Sequence, residues 1–362
     1  MLGHAPSRNS SARQPSDNFL KQHFPFYTSN ANIWLINQTK AHLIMHHHDS
    51  PTTLDRSASS SPTQTGRNIQ FHGKGGLVIS ATQFGDPKSP QVLLLHGGGQ
   101  TRHAWAHTAK VMARAGYCAT TIDARGHGES QWCPKGDYSA TALMSDLRSI
   151  IQSLPSSPYI VGASMGGLTT MLALGEEPSL TCQGLVLVDV APRLEHNGVR
   201  RVIEFMRRHQ DGFDSLEQVQ DAVAAYNPAR KAAANSQGLR RNLRQDANGR
   251  LHWHWDPAFL EHAVIPEADE SIFGRTRLNR AAKSLKLPIL LIRGHHSDVL
   301  SEEGAQELLA LVPHAQYRVI NQAGHMVAGD RNSIFTGAVL DFLQRLDPKF
   351  IDICSSDRRL TP

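Results

Sequence analysis

From Ile69 onward, short apolar runs alternate with stretches in which apolar residues recur every three or four positions. The first pattern suits strands buried on both faces and the second suits helices that bury one stripe, so the alternation predicts a parallel sheet covered by helices. Residues 91–95, 117–122, 159–161 and 185–188 read as strands, separated by helices over 104–115, 139–154 and 165–174. The rhythm then stops. Between 191 and 283 there is no convincing strand. Val199, Val202, Ile203 and Met206 repeat at helical spacing instead, as do Leu216, Val219, Val223 and Tyr226, and Ser215 with Gln218 has the form of a capping box. Alternation resumes with a strand at 289–292, a helix at 302–311, a strand at 316–320 and a last helix at 328–346.

The expected organisation is an α/β core over 67–190 and 284–346, with a helical cap at 191–283 above the strand C-terminal ends, where open α/β sheets place ligands. A tail follows at 347–362. Residues 1–66 are rich in Ser, Asn, Thr, Gln and His and read as a disordered extension, within which Met45 offers a second start and makes 1–44 a candidate mis-called segment. The run His46-His47-His48-Asp49 reads as incidental rather than as a metal site.

Composition narrows the partners. With 37 basic and 32 acidic residues in 362, a net charge of +5 is too modest for a dedicated nucleic-acid binder. No run approaches the roughly 18 apolar residues of a membrane-spanning helix, so no membrane partner is expected. Cys118, Cys133, Cys182 and Cys354 lie far apart without a CxxC pair, which argues against structural zinc and fits a cytoplasmic setting.

Three loops carry the candidate chemistry. Gly162-Ala163-Ser164-Met165-Gly166 follows a predicted strand and opens a predicted helix, so its glycines permit a sharp turn that presents the Ser164 hydroxyl as a nucleophile. His96-Gly97-Gly98-Gly99 ends an earlier strand, and a Gly-rich backbone lets amides approach a substrate; the N–H groups of Gly98 and Met165 are the candidate oxyanion donors. Gly324-His325 follows the last strand, placing His325 late enough in the chain to reach back as general base. The turn from Asp123 to Ser130 reads as a brace around these loops, with His96 ordering the glycine loop rather than reacting.

Taken in order, the His96 glycine loop, the D-x-R-G-H-G-x-S turn, the G-x-S-M-G-G elbow and the late Gly-His resemble the α/β-hydrolase superfamily over about 69–346. The resemblance implies an eight-stranded, mostly parallel sheet, a helical cap, and hydrolysis without cofactor or metal through a Ser-His-acid triad. Most members place the acid three residues after the glycine ending strand seven; here that glycine is Gly294 and the slot holds Ser297, with Asp298 one position later. A subset carries the acid after strand six, which here is Asp189. Asp189 is favoured and Asp298 is the alternative. In the cap, Trp253 and Trp255 are candidate walls of an apolar substrate pocket.

The expectation is a serine hydrolase of a small or medium carboxylic ester, thioester, lactone or amide, similar to small carboxylesterases, enol-lactonases and cofactor-free haloperoxidases. A C–C bond hydrolase of the same fold and a non-catalytic ligand-binding relative are the alternatives. A serine at the elbow argues against epoxide hydrolase and haloalkane dehalogenase chemistry, which needs an aspartate there.

Overall fold

The computed structural model describes residues 65–227, 236–262, 273–330 and 332–347. The expectations for the amino-terminal extension with its histidine run, and for the tail beyond 347, lie outside these residues. Eight strands form one sheet: β1 (Arg67–His72), β2 (Val78–Phe84), β3 (Gln91–Leu95), β4 (Cys118–Ile122), β5 (Tyr159–Ala163), β6 (Gly184–Val188), β9 (Ile289–Gly294) and β10 (Gln316–Ile320), in the order β1-β2-β4-β3-β5-β6-β9-β10. The β1–β2 and β2–β4 pairs are antiparallel and every later pair is parallel. The parallel centre is expected to be buried on both faces, and every residue of β4, β6 and β9 is buried.

Alternate residues of one strand enter different layers. Leu185 and Leu187 of β6 join one apolar cluster, with helices α2 (Ala140–Ser153), α3 (Met165–Glu176) and α9 (Glu302–Leu311). Val186 and Val188 join a second cluster, with α1 (Ala106–Arg114) and α11 (Asn332–Leu346) on the other face. Ser139 caps α2 and Ser301 caps α9 through their side-chain oxygens, each accepting an amide from the first turn. Strand β3 pairs with both β4 and β5, so the chain leaves β3 in one direction and crosses back past it to reach β5. The loops after β3 and β5 therefore diverge at a topological switch point, and a methyl placed on Gly97 would lie 3.3 Å from Ser164 Cβ.

Between β6 and β9 the chain builds α4 (His196–Arg208), α5 (Leu216–Tyr226), α6 (Ser236–Arg240), α7 (Phe259–His262) and α8 (Arg275–Ser284). Two expectations need correction here. The segment holds a short antiparallel hairpin, β7 (Leu243–Gln245) with β8 (Leu251–Trp253), where no strand is expected. Asp246 Oδ1 accepts the amides of Asn248 and Arg250 at 2.9 Å, and Gly249 has φ +85°, so turn chemistry rather than apolar alternation makes this hairpin. Helix α8 also packs with the sheet layer rather than the cap: Leu278, Ala281 and Ala282 join the first core cluster, and a Cβ on Gly175 of α3 would meet Ala281 at 2.6 Å. The last helix is divided into α10 (Val327–Asp330) and α11. The capping of α5 departs in detail, since Ser215 Oγ accepts the Gln218 amide at 3.4 Å while Gln218 reaches back to the Asp214 amide at 2.9 Å.

Candidate active site

Ser164 sits between β5 and α3 at φ +46°, one of three non-glycine residues with positive φ among the described residues. Its neighbours leave no room for side chains: a Cβ on Gly162 would meet Gly167 Cα at 2.7 Å, and one on Gly166 would meet Leu95 Cβ at 2.7 Å. The elbow is held from both directions, as the Ser164 amide donates to the Val188 carbonyl at 3.2 Å and its carbonyl accepts from Leu168 at 3.0 Å. Met165 opens α3, where the first amides of a helix have no intrahelical acceptor.

Two buried histidines hold the glycine loop. His96 Nε2 accepts the Ala124 amide at 3.0 Å, and its Nδ1 meets the Gly97 carbonyl at 2.8 Å. His127 Nε2 accepts the Gly99 amide at 3.1 Å, and its Nδ1 meets the Arg125 carbonyl at 3.1 Å. An Nε2 that accepts and an Nδ1 facing a carbonyl require the neutral Nδ1–H tautomer at both. Burial agrees, lowering the pKa of His96 and pushing that of His127 down to about 3, where the nearby His96 adds to the effect. Gly97 donates to Gln100 Oε1 at 3.2 Å, so the amides on either side of Gly98 are occupied. That of Gly98 has no acceptor among the described residues.

The Asp123–Ser130 turn is the brace its sequence suggests. Asp123, fully buried, takes the Arg102 amide at 2.6 Å, the Glu129 amide at 3.0 Å and the Arg102 guanidinium. Arg125 forks onto Asp146 with two bonds of 2.6 Å.

Asp189 follows β6 at φ +53° and is fully buried. Its Oδ1 accepts the Gly294 amide at 2.8 Å, and its Oδ2 takes His325 Nδ1 at 2.7 Å and the Ser297 hydroxyl at 2.5 Å. Asp298 lies elsewhere: its carboxylate pairs with Arg201 at 3.1 Å and is about one-third exposed. The His325 loop is clamped against the end of β9. His296 donates its amide to the Ala323 carbonyl at 2.9 Å, and a Cβ on Gly294 would meet the Gly324 carbonyl at 2.2 Å. Ser164, Gly98, Met165 and His325 all line one cavity of about 940 Å³.

Trp253 and Trp255 line the same cavity, stacked at 5.4 Å between ring centroids. Trp255 is fixed by the backbone, since Gly128 donates to the His254 carbonyl at 2.7 Å and Asp256 donates to the Gly126 carbonyl at 2.8 Å. The Tyr138 hydroxyl adds a bond to Asp256. Phe259 of α7 is a wall that periodicity does not single out: its ring lies 4.8 Å from that of His127, and a Cβ on Gly98 would meet it at 3.5 Å. The lining has three arginines, Arg193, Arg241 and Arg275, and no Asp or Glu among the described residues. Arg193 and Arg275 each reach the carboxylate of Glu307 at 2.7 Å. No cluster of His, Cys, Asp or Glu suited to a metal occurs among the described residues, and none of their helices is long and apolar enough to cross a membrane.

Known proteins resemble this chain in sequence and fold. Esterase Rv0045c of Mycobacterium tuberculosis is 29% identical over 70% of this chain and 82% of its own length. A crystal structure of that esterase superposes with a TM-score of 0.61 at 28% identity, covering 81% of this chain and 99% of that one. The sn-1-specific diacylglycerol lipase ABHD11 of Mus musculus is 28% identical over 72% of this chain and 82% of its length. E-2-(acetamidomethylene)succinate hydrolase shares the fold at a TM-score of 0.67, with 20% identity over 77% of this chain and 99% of that one. The family model described as serine aminopeptidase, S33, matches residues 86–332, and the chain belongs to that family of the α/β-hydrolase superfamily.

Proposed function

We propose that the chain is an esterase that cleaves a small or medium carboxylic ester through an acyl-enzyme on Ser164. One observation carries the reading: the buried Asp189 carboxylate meets His325 Nδ1 at 2.7 Å beside the cavity that Ser164 lines. Asp189 holds the imidazole with its proton on Nδ1, which leaves Nε2 as the base. His325 takes the Ser164 proton as Oγ attacks the ester carbonyl, and the Gly98 and Met165 amides receive the negative oxygen. The imidazolium then protonates the leaving alcohol. Water, deprotonated by the same nitrogen, releases the acid and restores the serine. No metal or cofactor enters the cycle.

The family description names an aminopeptidase, whose substrate brings an ammonium group to the site. Arg193 and Arg275 are paired with Glu307, so the positive excess of the lining rests mainly on Arg241, and with no Asp or Glu among the described lining residues this disfavours an ammonium group and favours an ester. Three described cysteines are free, in keeping with a cytoplasmic setting.

A fluorophosphonate probe tests the nucleophile. The folded protein is expected to carry one adduct, mapped to Ser164, and Ser164→Ala is expected to lose both adduct and aryl-ester turnover. Turnover retained in that variant overturns the proposal. Faster cleavage of aminoacyl arylamides than of matched esters overturns the choice of substrate.

A further inference from the structure

Gln100 lines the cavity with a donor that the protein does not use. It closes the turn after β3: its backbone amide donates to the Gly97 carbonyl at 3.2 Å, and its side chain folds back so that Oε1 accepts the Gly97 amide, also at 3.2 Å. A backbone N–H must be met by the carboxamide oxygen and not by its nitrogen, so Oε1 faces the loop and Nε2 is turned away from it. Nε2 has no acceptor among the described residues. Gln100 is half-buried, and Nε2 is not sealed in protein as the indole nitrogens of Trp105 and Trp253 are.

The glycine loop sets this donor beside the chemistry. A Cβ on Gly97 would lie 3.3 Å from Ser164 Cβ and 3.5 Å from Gln100 Oε1, so the nucleophile and the carboxamide flank one point of backbone. No Asp or Glu of the described lining competes for Nε2, and the side-chain carbonyl of Asn242 already takes the Thr101 hydroxyl at 2.8 Å. Because Oε1 is tied to the turn, the donor is held in place before a substrate arrives, and little freedom is lost when it is used.

We infer that Gln100 is a substrate-binding residue that selects esters carrying a second acceptor oxygen, an ether, hydroxyl or carbonyl, within a few bonds of the scissile carbonyl. The inference rests on Ser164 being the nucleophile of an esterase. The scissile carbonyl must sit at Ser164 Oγ, and a short substituent then extends toward Nε2. A carbon in that place displaces water from the donor and returns nothing, whereas an oxygen replaces the lost bond. Since Nε2 keeps solvent contact, the discrimination is that of one ordinary hydrogen bond rather than that of a buried donor left unpaired.

Two pairs of esters, each exchanging one oxygen for one methylene at matched length, test this at mildly alkaline pH. Nitrophenyl methoxyacetate against nitrophenyl butanoate probes the acyl side, and methoxyethyl butanoate against butyl butanoate probes the alcohol side. Each pair gives a ratio of kcat/KM, oxygenated over plain. Dividing the parent's ratio by a variant's cancels the intrinsic reactivity of the esters and any loss common to both. Gln100→Glu keeps an acceptor for the Gly97 amide and puts a carboxylate oxygen where the donor was, while Gln100→Met removes donor and acceptor alike. For at least one pair the ratio is expected to fall about tenfold in Gln100→Glu and about fivefold in Gln100→Met, chiefly through KM. If Gln100 serves only to order the loop, Gln100→Met slows both members of a pair equally and neither ratio moves. Ratios within about threefold of the parent's for both pairs overturn the inference, and Gln100→Glu decides alone if Gln100→Met does not fold. A parent that cleaves none of these esters overturns the esterase reading, and this inference with it.

Discussion

The sheet and the cap face each other across one cavity and are built on different terms. Strand β4 buries all five of its residues, whereas α5 buries only Val219 of eleven. In the sheet, apolar side chains meet other protein. In the cap, Val202, Phe205, Val223 and Tyr226 are half-buried and line the cavity, so part of their apolar surface is left for an occupant. The polar groups divide likewise. Those beneath the cavity are saturated by fixed partners, as at Asp123, Asp146 and Asp189, and those above it are mainly exposed pairs such as Arg250 with Asp214. A region that must hold atoms still is packed and paired, while a region that must accept a guest is not.

That contrast is most easily broken from below. Asp123→Ala leaves the buried Arg102 with Glu129 as its remaining carboxylate, and losing one partner of a buried pair costs about 3–5 kcal/mol. Urea unfolding is expected to show that loss, while Arg250→Ala, which breaks an exposed pair, should change stability by about 1 kcal/mol or less. Equal effects would remove the distinction.

A cap substitution should act on substrate size instead. Each methylene buried in an apolar cavity is worth about 0.8 kcal/mol, or about fourfold in kcat/KM, until the space is filled. Val223→Phe is expected to bring the plateau of an acyl-chain series forward by about two carbons while the shortest ester keeps its rate within about twofold. An unchanged series, or an equal loss at every length, would show that α5 does not bound the acyl group.

A further expected effect concerns pH. Folded His127 stays neutral down to about 3, whereas an unfolded histidine takes up a proton below its ordinary 6.5. The unfolded chain then binds more protons, so stability is flat above 6.5 and falls as pH drops toward 3, by up to about 1.4 kcal/mol per pH unit from this group. His127→Gln keeps an acceptor for the Gly99 amide and cannot titrate. Its melting temperature is expected to fall less steeply than the parent's between pH 6 and 4, and parallel slopes would refute the assignment.

The same division governs what could be read from the chain. The elbow was legible because its turn demands backbone without side chains and glycine supplies it: Gly162 and Gly166 sit where a Cβ would collide, as does Gly294 at the strand end that clamps the His325 loop. The brace was legible because Asp123, Arg125 and His127 are polar residues between apolar strands. The choice of acid was open because Asp189 and Asp298 differ little in sequence context, whereas in space one is buried beside His325 and the other is paired with Arg201. The hairpin escaped because its strands have three residues each, too few for alternation, although Asp246-Ala247-Asn248-Gly249 carried the turn signal. Phe259 was invisible because a four-residue helix has no period to read.

The charge of the cavity wall bears on the end of the reaction rather than its beginning. Ester hydrolysis converts an uncharged reactant into an acid that ionises at neutral pH, beside a lining with three arginines, two of which share the carboxylate of Glu307 while Arg193 also lies 3.8 Å from Glu195. The lining that repels an ammonium group attracts this anion. The free acid is therefore expected to inhibit turnover more strongly than its uncharged amide does, which product-inhibition kinetics would read directly.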